Sequence, residues 1–428
     1  MISNIIFSII LFLSLGFFSF NLWKIIRNIR LGNSEDRFDH PLKRLKILLK
    51  VAFGQTKLFA RPISGLLHAL VYWGFLVITI GTLEMMIDGI FNVERSLKFL
   101  GKFYDFVIAS GDIMAVVVLF SCFIFIFRRL FLRIKRFSGK EMKKSSSFDA
   151  VNALLIIILL MISLLTMNIG YIGSSIDIFG AYPVSNYLIH FFNDFNMELL
   201  HDISWWVHII LVLLFLNELP YSKHFHVVMS IPNVYFSNIQ NLGKMNNMNK
   251  VTSEVKLMLD PNSNLDNDDN IDNNIIETFG AKDVRDLNWV QLMNAYSCTE
   301  CGRCTAECPA NQTGKLLSPR KIMMDTRNRL KEVGKNIDKY GKEDSDNKSL
   351  INDYISHEEI WACTTCNACT QACPLNIDPL SIIMDLRRYL VMEESSAPNE
   401  INMMFNNIEN NGAPWQFSAS DRLNWKDE

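Results

Sequence analysis

The chain has 428 residues, 49% of them apolar, with 30 Phe and a mean hydropathy of +0.14. That is more apolar surface than a water-soluble chain of two or three domains carries, so part of it is expected to face lipid. Lys and Arg number 42 against 44 Asp and Glu, a balance that excludes a generally basic nucleic-acid binder.

The first half holds the apolar stretches 4–23, 62–90, 104–127, 150–170 and 203–222. Each has the roughly 20 residues that cross about 30 Å of hydrocarbon at about 1.5 Å per residue. The first has no basic start, and Trp23-Lys24 follows it where a signal peptide would have a small-residue cleavage site. The loops orient these spans. Residues 24–61 carry ten Lys or Arg and residues 128–144 carry eight, whereas 91–103 carry three and 171–204 none. The positive-inside rule therefore puts the two basic loops in the cytoplasm of a bacterial inner membrane. The N-terminus is then outside and everything after residue 222 inside. Trp205 and Trp206 suit one interface and Lys223 the other.

The expected organisation is mainly α. A five-span transmembrane bundle over residues 1–230 precedes a flexible polar linker at 231–278, in which 241–275 holds fifteen Asn or Asp. An α-helical dicluster domain follows at 279–394 and a polar tail at 395–428. Within the dicluster domain helices are expected at 284–297, 315–333, 357–362 and 378–393, with Ser318-Pro319 opening the second. The charged segment 334–350 reads as a loop. The tail keeps Trp415, Arg422 and Trp425, large side chains in a segment with little core of its own; they read either as a docking strand or as packing against the cluster domain.

Eight of the nine Cys lie between Cys298 and Cys373. Cys298-x2-Cys301-x2-Cys304-x3-Cys308-Pro309 is repeated as Cys363-x2-Cys366-x2-Cys369-x3-Cys373-Pro374. This is the spacing that wraps a tight loop round three corners of a [4Fe–4S] cube and sends the fourth Cys to the neighbouring cube. It assigns Cys298, Cys301, Cys304 and Cys373 to one cluster and Cys363, Cys366, Cys369 and Cys308 to the other. Zinc sites use two Cys pairs round a long gap, or Cys with His, and do not have two complete runs each ending in Cys-Pro. Cys122, in the third span, reads as a small buried hydrophobe.

His68 lies in the second span near its cytoplasmic end. His226 lies just past the fifth, 226 − 208 = 18 residues beyond His208, or about 27 Å of helix. Two His at one depth on neighbouring helices are the arrangement that clamps haem b, and Pro220 would kink the fifth span and aim His226 inward. His224 is a rival to His226. His208 belongs to the other leaflet, where a second haem would need His190 or His201 as partner. Glu84, Asp88 and Asp112 could carry protons for a quinone, or be hydrogen-bonded interfacial acids.

The stretches Arg61–Glu84 and Trp206–His226 resemble the membrane cytochrome b subunit of respiratory nitrate reductase and its relatives. That resemblance implies a haem b held by His68 and His226. The family's second His on span two falls where Ile78 stands, which leaves His208 without its usual partner. The second half, from Asp286-Leu287-Asn288-Trp289 through both motifs to Arg387-Arg388-Tyr389, resembles the iron–sulfur subunits of heterodisulfide reductase-like complexes. In that family a Cys-rich catalytic domain often follows, fused or as a separate chain, and this sequence ends about where it would begin.

These readings imply a membrane-bound electron-transfer subunit of a quinone-linked respiratory oxidoreductase. Electrons would pass between menaquinone or ubiquinone, haem b, two [4Fe–4S] clusters and a soluble partner with Cys-Cys-Gly repeats. A haem-free iron–sulfur anchor and a non-enzymatic redox sensor are the alternatives.

Overall fold

The computed structural model describes residues 2–132, 134–137, 139, 141–142, 144–260, 278–341 and 346–427. Among them the chain is helical, with isolated bridges in place of strands. The first half forms helices Ile2–Ile29, Pro62–Phe91, Lys102–Leu130, Lys144–Ser174 and Met197–Glu218. All five are long and apolar enough to cross a membrane. Their outward faces carry exposed Phe12, Phe120 and Leu214, as lipid-facing helices do. Inward, Ala115, Val118 and Cys122 of span three pack on Ile158, Met161 and Leu165 of span four. Gly74 lets spans two and three close up, since a Cβ there would meet the Val118 side chain at 2.5 Å.

Pro220 does more than kink span five. The α-helix stops at Glu218, tight turns cover Leu219–Tyr221 and Lys223–Phe225, and a new helix runs His226–Tyr235. Proline cannot donate to the preceding turn, and Ser222 is extended, so His226 opens a separate helix instead of continuing the span. The His226–Tyr235 helix also runs across the expected linker boundary at residue 230, with Asn233 and Val234 buried. A further helix covers Asn249–Leu259. The rest of the expected linker, 261–277, lies outside the described residues, as do Arg133, Lys140 and Lys143 of the second basic loop.

The dicluster domain starts with helix Trp289–Ser297, whose Asn288 and Gln291 form a reciprocal capping box. Helix Pro319–Tyr340 follows, with the Ser318 hydroxyl accepting from the Lys321 amide. It continues seven residues past the expected end at 333 (340 − 333 = 7). In the extension Lys335 and Lys339 are exposed, Asp338 pairs with Lys24 and Arg27 of span one, and the Gly334 carbonyl accepts from Arg27. Helices His357–Trp361 and Pro379–Met392 complete the domain, capped by Ser356 and Asp378.

This domain shares a core with the bundle. Ile25 and Ile29 of span one, with Phe225 and Met229, join Leu292, Met293, Leu330 and Leu386 in one buried cluster. Both basic loops meet the domain at that end: Asn33 donates its amide to the Leu287 carbonyl (2.9 Å), and Glu141 pairs with buried Arg320 (2.7 Å). The less basic loops lie at the opposite end, where Arg95 stacks 4.2 Å over Tyr171 and Asp112 accepts from the amides of Val184 and Ser185.

Candidate electron-transfer sites

The two Cys motifs fold alike. Glu300 and Gly302 have left-handed backbone angles, φ 56° and 70°, and Thr365 and Asn367 repeat them at matching positions with 56° and 59°. Alternating such residues turns successive amides to one side, a concavity suited to anionic sulfur. One of these amides, that of Thr365, reaches Cys363 Sγ at 3.5 Å. Each motif's first Cys is also held from behind by an arginine of a later helix. Arg327 donates to the Cys298 carbonyl at 2.9 Å, and Arg387 donates to that of Cys363.

Cys298, Cys301, Cys304 and Cys373 line one small cavity, with Gly302 and Arg303 in its wall. Cys363 lies within charge–charge reach of Cys308 and Cys366. Among the described residues no three His, Cys, Asp or Glu converge as on a single ion. Thiols spread round a cavity fit a multi-iron cluster better than a zinc ion. Burial pushes the Cys298 thiol up to about 11 and those of Cys369 and Cys373 up to about 12. A cation is what would hold such buried sulfurs as thiolates. The donor set fits the clusters.

The His68 and His226 rings stand 6.3 Å apart at an interplanar angle of 38°. An iron bonded to one nitrogen of each ring at about 2 Å would separate the ring centres by about 6 Å. The other nitrogen of each ring is engaged: His68 Nδ1 with Gln55 Oε1 at 3.1 Å, and His226 Nδ1 with the Lys223 carbonyl at 3.2 Å. Both partners are acceptors, which fixes the proton on Nδ1 and leaves Nε2 free to ligate. Burial pushes the His226 imidazole down, favouring the neutral form that binds iron. His224 instead bonds the Ser222 hydroxyl at 2.8 Å and touches His226, not His68. The pair fits a bis-histidine haem.

His208 is in a different setting. It is 1% exposed, and its Nδ1 meets the Leu160 carbonyl and the Ser163 hydroxyl, both at 3.0 Å. Among the described residues no His ring faces it; His201 lies against Tyr171 and the Met167 carbonyl. The residues present do not fit a second haem.

The three acids near the other end are all hydrogen-bonded. Glu84 accepts from the Leu97 amide and Tyr104, Asp88 from the amides of Arg95 and Ser96, and Asp112 from Asn168 and Ser185. They pin loops in place. Beside them a small cavity of about 40 Å³ lies between spans two, three and four, lined by Ile78, Gly81, Thr82, Arg95 and Asn168.

Several supporting residues were given no role at the clusters or the haem from the sequence: Gln55, Lys57, Arg303, Arg327 and Arg387. Lys57 donates to the Cys373 carbonyl at 3.2 Å while its own carbonyl accepts from Arg303, so the loop before span two touches the first cluster site. No local pattern marks them: Arg327 and Arg387 reach the first Cys of their motifs only when later helices fold back.

Residues 297–377 match a family model described as a 4Fe-4S dicluster domain. The chain is 29% identical over 94% of its length to a probable iron-sulfur-binding oxidoreductase FadF of Bacillus subtilis. It is 27% identical over 98% of its length to EtfAB:quinone oxidoreductase of Syntrophomonas wolfei. It spans 57% and 59% of those two relatives. A quarter of the chain is 31% identical to 52% of one component of the ferredoxin/F(420)H(2)-dependent CoB-CoM heterodisulfide reductase of Methanosarcina acetivorans. No solved structure matches. The chain is thus similar to iron–sulfur oxidoreductases and heterodisulfide reductase subunits, and carries a 4Fe-4S dicluster domain over residues 297–377.

Proposed function

We propose that the chain links a membrane quinone to a soluble redox partner. Haem b would sit between His68 and His226, one [4Fe–4S] cluster at Cys298, Cys301, Cys304 and Cys373, and the other at Cys363, Cys366, Cys369 and Cys308. When bound, these groups pass single electrons. The protein's own part is to hold them in line and keep them dry. The observation that carries this reading is continuity. His226 opens a helix that shares the dicluster core through Met229, and Lys57 of the loop before span two bonds Cys373.

A quinone is supported by the quinone oxidoreductase among the relatives, and Arg95 and Asn168 beside the small cavity offer it donors. Menaquinone and ubiquinone share the two carbonyls that Arg95 and Asn168 could bond. The basic loops and the dicluster domain lie at one end of the bundle, which agrees with a cytoplasmic dicluster domain in a bacterial inner membrane. The soluble partner, a Cys-rich protein, would dock on the tail. Trp415 and Trp425 are 58% and 73% exposed, which leaves most of each side chain open to a partner. Arg422's side chain lies outside the described residues.

The test is anaerobic mixing of the purified chain with a menaquinol analogue. Rapid appearance of a reduced haem b band, followed by reduction of an added cluster-accepting dye, supports the reading. A haem band that only dithionite can raise would refute the quinone link.

A further inference from the structure

The end of the bundle nearest His68 gathers more arginine than its acids pair. Arg136, on the turn Lys135–Phe137, keeps Nε and Nη1 buried without a hydrogen-bond partner. Its guanidinium lies 4.9 Å over the Phe137 ring and within reach of the charges of Arg61, Arg128 and Arg303. Arg303, itself buried, donates to the Lys57 carbonyl at 3.4 Å and lies within charge–charge reach of His68. Arg61 stands 3.6 Å from Glu307 at the start of span two, seven residues and about 10 Å before His68. Among the described residues no carboxylate bonds Arg136 or Arg303.

Buried guanidinium groups packed among like charges are costly unless an anion meets them. A haem b carries two ionised carboxylates. Ionised groups are expensive in hydrocarbon, so these must leave the bilayer at the polar end nearest the haem. That is the end where Arg61, Arg136 and Arg303 gather, and a guanidinium fork matches a carboxylate in two parallel bonds.

We propose that Arg136 and Arg303, with Arg61 at the rim, clamp the two haem propionates and so fix the haem's rotation about the His68–His226 axis. The proposal rests on the haem reading above. The rival anion is the first cluster, since Arg303 lines its cavity and Arg136 also lies near Cys301.

The test uses the full chain produced without haem and titrated with either protohaem or its dimethyl ester, which keeps the iron and loses both charges. Protohaem should bind roughly 10–100-fold more tightly than the ester. In the double variant Arg61→Gln, Arg136→Gln that preference should collapse to a few-fold, with cluster signals unchanged. Equal binding of the two haems by the unaltered chain would overturn the clamp and leave the haem reading standing; this arm needs no variant to fold. A preference that survives in the double variant, or a variant that alters only the first cluster, would overturn it too. Failure of either haem to bind would remove both readings.

Discussion

The rings of His68 and His226 face each other 6.3 Å apart, although one lies inside span two and the other opens a short helix after span five. The break at Pro220 makes the meeting possible, because a continuous helix would have carried residue 226 onward along the span axis. Gln55 and the Lys223 carbonyl then set both rings with the same nitrogen outward. If this pair holds the haem, His68→Ala and His226→Ala should each abolish the haem b α band while the cluster signals persist. His208→Ala should keep the haem and cost about 2–4 kcal/mol of stability, from a cavity and two bonds left unmade. Optical spectra and thermal unfolding of the three variants check this, and haem loss in the His208 variant alone would contradict it.

Gln55 bears on the haem through His68. Its amide oxygen accepts from Nδ1 and makes the imidazole a stronger donor, which favours ferric iron. Gln55→Leu should therefore raise the haem midpoint potential by roughly 20–60 mV, one hydrogen bond's worth, with haem content unchanged. A redox titration reads the shift; an unchanged or lowered potential would show that Gln55 does not tune His68.

The exchange of fourth ligands makes a distinctive claim about Cys308. It closes the first motif, yet Cys363 of the second lies within charge–charge reach of it. Cys308→Ala should damage the cluster of Cys363, Cys366 and Cys369 and spare the one lined by Cys298, Cys301, Cys304 and Cys373. Loss confined to the first motif's cluster, seen by paramagnetic resonance of reduced samples, would reverse the pairing.

The five spans and both Cys motifs were legible because each is a continuous local pattern: an apolar run, or thiols at fixed spacing. His68 and His226 were legible as ionisable groups at matching depth. What could not be read is contact between distant segments. Gln55 looks like any loop glutamine until span two brings His68 beside it. Arg327 and Arg387 look like solvated helix charges until their helices fold back over the first Cys of each motif. The helix past residue 333 was hidden for a related reason, since its few apolar positions gain a partner only when span one arrives.

The tail carries exposed Trp415, Phe417, Leu423 and Trp425 after helix Asn399–Asn411. Large apolar side chains clustered on a polar segment suit a protein interface. Deleting residues 412–428 should leave haem and clusters in place but end co-purification with the soluble partner. Complete recovery of the complex after that deletion would refute a docking role.

The most direct measurement is the composition of the full chain purified without oxygen. Two cubane clusters and one bis-histidine haem require eight acid-labile sulfides, nine iron atoms (8 + 1 = 9) and one haem b per chain. The account predicts that ratio together with a low-spin haem spectrum. Eight sulfides with no haem, or with two, would contradict the assignment of a single haem to His68 and His226.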